Sequence, residues 1–115
     1  MMEVTRQEKN GVVYYACQEL TAAGAAHGFS TRIGGVSEAP WDTLNLGASR
    51  GDEIWAIEEN FRRFCGAIGT DPDALVKNHQ VHGDLVRTVT MEDRMPASFA
   101  PGIVEADGMA TQAPG

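Results

Sequence analysis

The clearest pattern of hydrophobic and polar positions along the chain is a helical repeat within residues 52–69. Its apolar members are Ile54, Ile57, Phe61, Phe64 and Ile68. The alternating spacing of three and four residues places them on one face of an α-helix. Asp52 is expected to cap the start of this helix, and Gly69 is expected to end it.

Shorter apolar runs predict β-strands on either side of the helix. Val12–Cys17 is rich in β-branched and aromatic residues and follows a turn signal at Asn10-Gly11. Residues 27–32 predict a short strand with Phe29 facing inward, and residues 106–111 predict another strand. One helix and four or five short strands indicate an α+β domain.

Around Gly83-Asp84, the two extended runs NHQVH and LVRTVT predict a hairpin or a bulged strand. Residues 71–75 predict a single turn.

Two stretches lack any regular pattern. Residues 33–51 contain four glycines and one proline, which predicts a long irregular loop, and such loops in compact domains are often functional. Residues 91–103 contain two prolines and also predict a loop. The chain closes on the turn signal T-Q-A-P-G, which suggests that further sequence belongs to the same unit.

Composition narrows the class of protein. The 115 residues carry a formal charge of -7, from 9 Lys and Arg against 16 Asp and Glu, which allows one domain and argues against a nucleic-acid-binding surface. No apolar run is long enough for a transmembrane helix, and the polar start lacks a signal-peptide core. Cys17 and Cys65 therefore indicate reduced thiols in the cytoplasm, with a disulfide between them as the minor alternative.

His79 and His82 form an HxxH pair that invites comparison with metal sites. In a strand, side chains three positions apart point to opposite faces, so at most one of the two is expected to enter a site. If His79 and Val81 pack inward, Gln80 and His82 share the other face. A solvated histidine is the commoner meaning of this spacing, and no spacing in the chain completes the three ligands of a catalytic zinc.

Three further positions are candidates for binding. Arg32, close to Gly34-Gly35, combines a guanidinium with exposed backbone N–H groups and suits a phosphate or carboxylate, although a surface arginine beside a turn is the commoner meaning. Asn45 lies between two leucines, where it either meets a ligand or caps its own turn. The mid-helix Asn60 predicts a tertiary hydrogen bond. Glu105 and Asp107 are expected to be a solvated pair.

Taken in order, five motifs carry a family resemblance. They are HGFSTRIGGVS, WDTLNLG, GDE with ENFRRF, NHQVHGDLV and EADGMATQAPG. Together they resemble the N-terminal half of the YfiH-like proteins, also called the laccase-domain or polyphenol oxidase family. The resemblance covers residues 27–115 and implies a layered α/β/β/α architecture with mixed β-sheets, of which residues 1–115 would be the N-terminal portion of a single, incomplete domain.

The resemblance implies a zinc-dependent purine nucleoside phosphorylase that acts on adenosine, inosine, guanosine and methylthioadenosine and also deaminates adenosine. Its partners would be purine nucleosides and phosphate. Residue by residue, His82 matches a metal-binding, catalytic histidine, and Arg32 matches a catalytic and substrate-binding position. Asn45 and Gln80 match substrate-binding positions, and Asp107 matches a motif position of undefined role.

The same resemblance implies that the other metal ligands lie in Ala-Asp-Cys and His-Ala-Gly-Trp motifs, which this chain does not contain. The 115 residues alone are therefore expected to be inactive. Two alternatives follow: a non-catalytic half-domain that docks with another chain, and a copper-dependent, laccase-like polyphenol oxidoreductase. Uncovered strand edges predict that the isolated chain self-associates or binds a complementing C-terminal segment.

Overall fold

The computed structural model of the chain describes residues 3–47, 50–94 and 104–114. Its strands are β1 (Val4–Lys9), β2 (Val12–Cys17), β3 (Phe29–Ser30), β4 (Val86–Val89) and β5 (Gly108–Thr111). Its α-helices are α1 (Gln18–Ala22) and α2 (Ile54–Ile68), and single 3-10 turns lie at Pro72–Ala74 and Met91–Asp93. The α+β class with mixed sheets is therefore confirmed.

The first sheet is antiparallel, with strand order β1-β2-β3. Asn10 and Gly11 both have positive φ values, 53° and 83°, which is the backbone conformation that a two-residue hairpin turn requires. The predicted turn and the predicted strand Val12–Cys17 are thus both confirmed. Strand β1 escapes prediction because its residues are polar and mostly exposed. Phe29 lies in the predicted strand but is 59% exposed, so the expectation that it faces inward is wrong.

Helix α2 packs its apolar stripe against β2 and the irregular segment that precedes it. Val12, Leu44 and Ala67 form one buried cluster, and Ile57 and Phe61 form a second. Gly69 ends the helix with φ 81° in the left-handed region, as predicted. Asp52 does not cap the helix: Glu53 occupies the cap position, because the Asp52 carboxylate is engaged with groups of the preceding loop.

The second sheet consists of β4 and β5, which pair in parallel with Val86 opposite Gly108. The predicted hairpin within residues 75–90 is therefore wrong. The physical reason is a long-range pairing. The backbone groups of His79 and Leu85, which a hairpin would have paired locally, form hydrogen bonds with the segment 104–108 instead. The predicted turn at 71–75 is confirmed by the 3-10 turn Pro72–Ala74.

The described part of the segment 33–51 contains no helix or strand, as expected. Most of the loop predicted over 91–103 lies outside the described residues, and Gly115 of the final turn signal also lies outside them. Among the residues that the structure describes, no helix is long and apolar enough to cross a lipid bilayer. Cys17 and Cys65 are both buried and carry free thiols.

Candidate functional site

The loop that carries His82 is held by one carboxylate. Both oxygens of Asp107 accept backbone hydrogen bonds: Oδ1 from the N–H groups of Val81 at 3.1 Å and His82 at 2.8 Å, and Oδ2 from Gly83 at 2.7 Å. Three converging N–H donors on one anion fix the backbone of the loop. Asp107 is therefore a positioning residue, and the expectation that Glu105 and Asp107 form a merely solvated pair is wrong for Asp107.

The pKa of Asp107 is lowered relative to a free aspartate. Partial burial alone would raise this pKa, because it penalises the charged carboxylate. The N–H donors of Gly83, His82 and Val81, together with the charge of the His82 ring, outweigh that effect. Asp107 consequently stays ionised, and the loop stays anchored, throughout the neutral pH range.

A second set of contacts fixes the base of this loop. His79 donates its N–H to the carbonyl of Val104 at 2.8 Å, and its own carbonyl accepts the N–H of Ala106 at 3.2 Å. Asn78 then joins the loop to β4, because its side-chain oxygen accepts from Arg87 Nε at 2.6 Å and its Nδ2 donates to the Gly108 carbonyl. Arg87 is largely buried and also reaches Asp93 at 3.5 Å. The loop is thus attached to both strands of the parallel sheet.

The backbone conformation and exposure of the two histidines differ from those expected for a strand. His82 has φ 60°, a left-handed conformation that is uncommon for residues other than glycine. It therefore lies in a turn, and the alternation of faces predicted for a strand does not apply. His79, Gln80, Val81 and His82 are all exposed, so the case in which His79 and Val81 pack inward does not occur.

His82 is the residue of this loop that the family resemblance marks as a metal ligand. Imidazole is a good zinc ligand, but a catalytic zinc site takes three protein ligands. Among residues 3–47, 50–94 and 104–114, no group of three or more His, Cys, Asp and Glu side chains is placed to hold a metal ion. The described residues therefore do not fit a zinc or copper ion on their own.

Arg32 lies at a different place, on the loop that follows β3. Its side chain is 74% exposed, and one Nη donates to Asp42 Oδ2 at 2.7 Å. Its backbone carbonyl accepts the N–H groups of Thr43 at 2.9 Å and Leu44 at 3.0 Å. A guanidinium has five N–H donors, so the ion pair with Asp42 orients the head group and leaves donors directed to solvent.

The backbone N–H of Gly35 is not available to an anion, contrary to the expectation for the Gly34-Gly35 pair. The N–H of Gly35 donates to Thr43 Oγ1 at 3.1 Å, so it is already satisfied. A Cβ at Gly35 would lie 2.2 Å from the carbonyl oxygen of Thr43 and 2.6 Å from Asn60 Oδ1. Glycine is therefore required at this position for close backbone packing, and not for access to a ligand.

A buried polar network supports the Arg32 loop from below. Asn60 is fully buried; its Oδ1 accepts from Val36 N–H at 2.9 Å, and its Nδ2 donates to Ser37 Oγ and to the carbonyl of Asn45, both at 2.8 Å. The predicted tertiary hydrogen bond of Asn60 is thus confirmed. Ser37 Oγ donates in turn to Asp52 at 2.5 Å, which ties the helix to the loop.

Asn45 belongs to the same network. Its Nδ2 donates to Asp52 Oδ2 at 3.1 Å, and its Oδ1 accepts the N–H of Gly47 at 3.0 Å. The pKa of Asp52 is lowered: partial burial opposes the charged form, but hydrogen bonds from Ser37, Asn45 and the Glu53 N–H outweigh it. Most of the hydrogen-bonding capacity of the Asn45 side chain is therefore used inside the protein.

The candidate residues fall into two groups. Arg32 and Asn45 share the irregular segment before α2, whereas Gln80, His82 and Asp107 share the loop beside the parallel sheet. Within the described part of the chain, no hydrogen bond or salt bridge joins one group to the other. Sequence reasoning missed the roles of Ser37 and Asp42; the only signal for them was their position inside the motifs HGFSTRIGGVS and WDTLNLG.

Comparison with known proteins gives a consistent result. The family described as multi-copper polyphenol oxidoreductase laccase matches residues 26–115. A purine nucleoside phosphorylase, YlmD, from Geobacillus stearothermophilus is 32% identical over 117 residues, which cover 100% of this chain and 42% of that protein. A purine nucleoside phosphorylase, YfiH, from Escherichia coli is 46% identical over 87 residues, which cover 70% of this chain and 35% of that protein.

The fold is shared as well. The crystal structure of a Bacillus licheniformis hypothetical protein, YfiH, aligns with a TM-score of 0.79 and 26% identity, over 95% of this chain and 40% of that one. The chain spans between 27% and 42% of the length of the curated relatives named purine nucleoside phosphorylase.

Proposed function

The chain belongs to the multi-copper polyphenol oxidoreductase laccase family, and we propose that it is the N-terminal portion of a purine nucleoside phosphorylase domain. The observation that carries this proposal is the exposed His82 ring on a loop anchored by Asp107, in a chain whose relatives are named purine nucleoside phosphorylases. Residues 1–115 would supply part of the active site, and the rest of the domain would complete it.

The proposed reaction is phosphorolysis of adenosine, inosine, guanosine or methylthioadenosine. A phosphate oxygen bonds to C1′ of the sugar while the C1′–N9 bond breaks. The purine leaves with the bonding electrons and takes up a proton, and the sugar departs as its 1-phosphate. Phosphate must therefore be held near the sugar, and a proton must reach the leaving base.

Arg32 is the residue that we assign to phosphate. Its guanidinium is oriented by Asp42 and retains exposed donors, which suits bidentate binding of a phosphate. We assign Gln80, which is exposed beside His82, to substrate contact. Asn45 would act by shaping the loop that presents Arg32, because its amide is engaged with Asp52 and Gly47.

We further propose His82 as one ligand of a zinc ion in the complete protein. The described residues contain no group of three or more His, Cys, Asp and Glu side chains placed to hold it, so residues outside this chain would complete the ligand set. The left-handed backbone at His82 and the Asp107 anchor would fix the imidazole before any metal arrives. Adenosine deaminase activity and a cytoplasmic location are part of the same proposal.

The proposal is tested with the complete gene product and inosine. Release of hypoxanthine should depend on added phosphate, and Arg32→Ala should raise the KM for phosphate by about tenfold or more, the effect expected from losing a charge-assisted contact. Arg50→Ala, a change at another exposed arginine, should leave this KM unaltered. Cleavage of inosine that does not depend on phosphate would contradict the proposal.

A second candidate function is a non-catalytic binding half that docks with another polypeptide. The observation in its favour is that the described residues bring together no three or more His, Cys, Asp and Glu side chains that could hold a metal ion. The coding sequence after Gly115 distinguishes the two: Ala-Asp-Cys and His-Ala-Gly-Trp motifs in frame support the enzyme, and a stop codon supports the binding half.

A further inference from the structure

One edge of the antiparallel sheet is formed by β1, the outermost strand in the order β1-β2-β3. Five of its six residues are exposed. An edge strand of this length offers a row of backbone N–H and C=O groups on which another strand can pair. The backbone groups of β1 that face outward determine which strand can pair with it.

The hydrogen bonds of the hairpin identify the outward-facing groups. The N–H of Gln18 donates to the carbonyl of Glu3 at 3.0 Å, in the same register that pairs Val4 with Cys17. Inward and outward groups alternate along an antiparallel strand. Thr5, Gln7 and Lys9 therefore direct their backbone groups to β2. Val4, Arg6 and Glu8 direct theirs to the free edge.

Charge selects one register for pairing of this edge with itself. When two copies of β1 pair antiparallel about a two-fold axis, the outward-facing residues of one copy must lie opposite the outward-facing residues of the other. The axis must then pass through a residue position, and moving the axis by one residue shifts the pairing by two residues. Centring the axis on Gln7 places Arg6 opposite Glu8 of a second copy, and Glu8 opposite Arg6. Moving the axis one residue either way places Arg6 opposite Arg6 or Glu8 opposite Glu8, which is unfavourable.

The side chains are available for this contact. Arg6 and Glu8 lie on the same face of β1, with Nη2 and Oε2 3.9 Å apart and side chains 56% and 60% exposed. Their ion pair within the strand is weak because it is long and solvated. In the centred register, the four side chains of two copies would form an alternating cluster of opposite charges.

We propose that two copies of this chain form a symmetric dimer by antiparallel pairing of β1 with β1, in the register that joins Arg6 of each copy to Glu8 of the other. The two three-stranded sheets then become one continuous six-stranded sheet. The partner is a second copy of this chain, because the sequence Arg-Gln-Glu is complementary to itself in reverse. This inference does not depend on the proposed activity.

Sedimentation equilibrium of the 115-residue chain tests the dimer. The wild-type chain should associate in a concentration-dependent way, with a monomer–dimer equilibrium as the first step at low concentration. Arg6→Glu and Glu8→Arg each replace two favourable cross-strand pairs by two repulsive ones, so each should raise the dimer dissociation constant by about tenfold or more. Arg50→Glu and Glu38→Arg, the same charge changes at exposed positions outside β1, should leave the constant within about twofold.

Charge exchange makes the test specific. A mixture of the Arg6→Glu and Glu8→Arg chains should form a heterodimer, because every cross-strand pair is again of opposite charge. The double variant Arg6→Glu/Glu8→Arg should dimerise like the wild type. A wild-type chain that stays monomeric, single variants that dimerise normally, or a mixture that fails to associate would each overturn the proposal.

Discussion

Asp107 is the residue on which the His82 loop depends most directly. Asp107 is far along the chain from the residues that it binds, yet its two carboxylate oxygens accept hydrogen bonds from three of their backbone N–H groups. An aspartate in this role cannot be replaced by asparagine without penalty, because the amide nitrogen would face N–H donors. We therefore assign to Asp107 the role of positioning the backbone at His82.

We expect Asp107→Asn to loosen the loop while leaving the α2 core intact. Near pH 7, the unfolding midpoint should fall, and amide exchange at Val81, His82 and Gly83 should accelerate much more than exchange within α2. Hydrogen exchange measured by NMR provides the readout. Asp84→Asn, at an exposed position of the same loop, is the matched control. Equal exchange in the two variants would contradict the assignment.

The lowered pKa values of Asp107 and Asp52 predict an acid-sensitive stability. Each carboxylate has a lower pKa when folded than when unfolded, so its contribution is complete above the unfolded value of about 3.9 and is lost as the pH falls through the folded value. Urea unfolding across pH 2.5 to about 6 should show this loss below about pH 4. Asp107→Asn should weaken the pH dependence of the free energy of unfolding, and Asp84→Asn should leave it unchanged.

Among single substitutions in the candidate site, we expect replacement of Asn60 to lower the free energy of unfolding most. Asn60→Ala leaves the Val36 N–H and the Asn45 carbonyl without this partner and removes the donor to Ser37 Oγ, which keeps its bond to Asp52, at a cost of about 3 kcal/mol. Chemical denaturation measures it. Arg62→Ala, on the exposed side of the same helix, should cost less than about 0.5 kcal/mol. Comparable losses in both variants would show that the network is not structural.

At the level of elements, two glycines of the α2 region should respond oppositely to alanine. A Cβ at Gly66 meets no atom within 4 Å, so Gly66→Ala should stabilise the helix by about 0.5–1 kcal/mol. Gly69 ends the helix at φ 81°, where Ala is strained, so Gly69→Ala should destabilise it by about 1 kcal/mol. Thermal melts of both variants give the comparison, and shifts of the same sign would contradict this account.

What the sequence predicted well is local. The apolar repeat of α2, its Gly69 stop and the Asn10-Gly11 hairpin turn all follow from side chains close in the chain, and all are confirmed. The parallel pairing of β4 with β5 joins residues about 20 positions apart, and no local signal separates it from a hairpin. The same limit explains why the candidate site was only partly predicted. Asp107 and Asp52 accept hydrogen bonds from groups distant in the sequence, and the periodicity of hydrophobic residues carries no information about such bonds.

At the scale of the whole molecule, the parallel sheet is the least complete part. Among the described residues it has two strands; Val86, the first residue of β4, and Leu85 before it are 62% and 56% exposed. Parallel sheets normally have both faces covered, and two-stranded sheets are rarely stable alone. We therefore keep the expectation that the isolated 115-residue chain associates through this surface, in addition to any pairing of β1.

Val86→Lys tests that expectation. The charge should suppress species larger than a dimer in multi-angle light scattering, because it opposes burial of the exposed apolar face. Leu20→Lys, at an exposed apolar position of α1 outside both sheets, is a control that should not suppress them. A wild-type chain free of such species at high concentration would contradict the expectation.

We propose above that His82 presents its imidazole to the active site of a phosphorylase. The most direct measurement is phosphate-dependent cleavage of inosine by the complete gene product, compared between His82→Ala and His79→Ala, together with the zinc content of each protein. His82→Ala should lose at least about a hundredfold in kcat/KM and most of its zinc, while His79→Ala, an exposed histidine of the same loop, keeps both. Equal activity in the two variants would contradict the account.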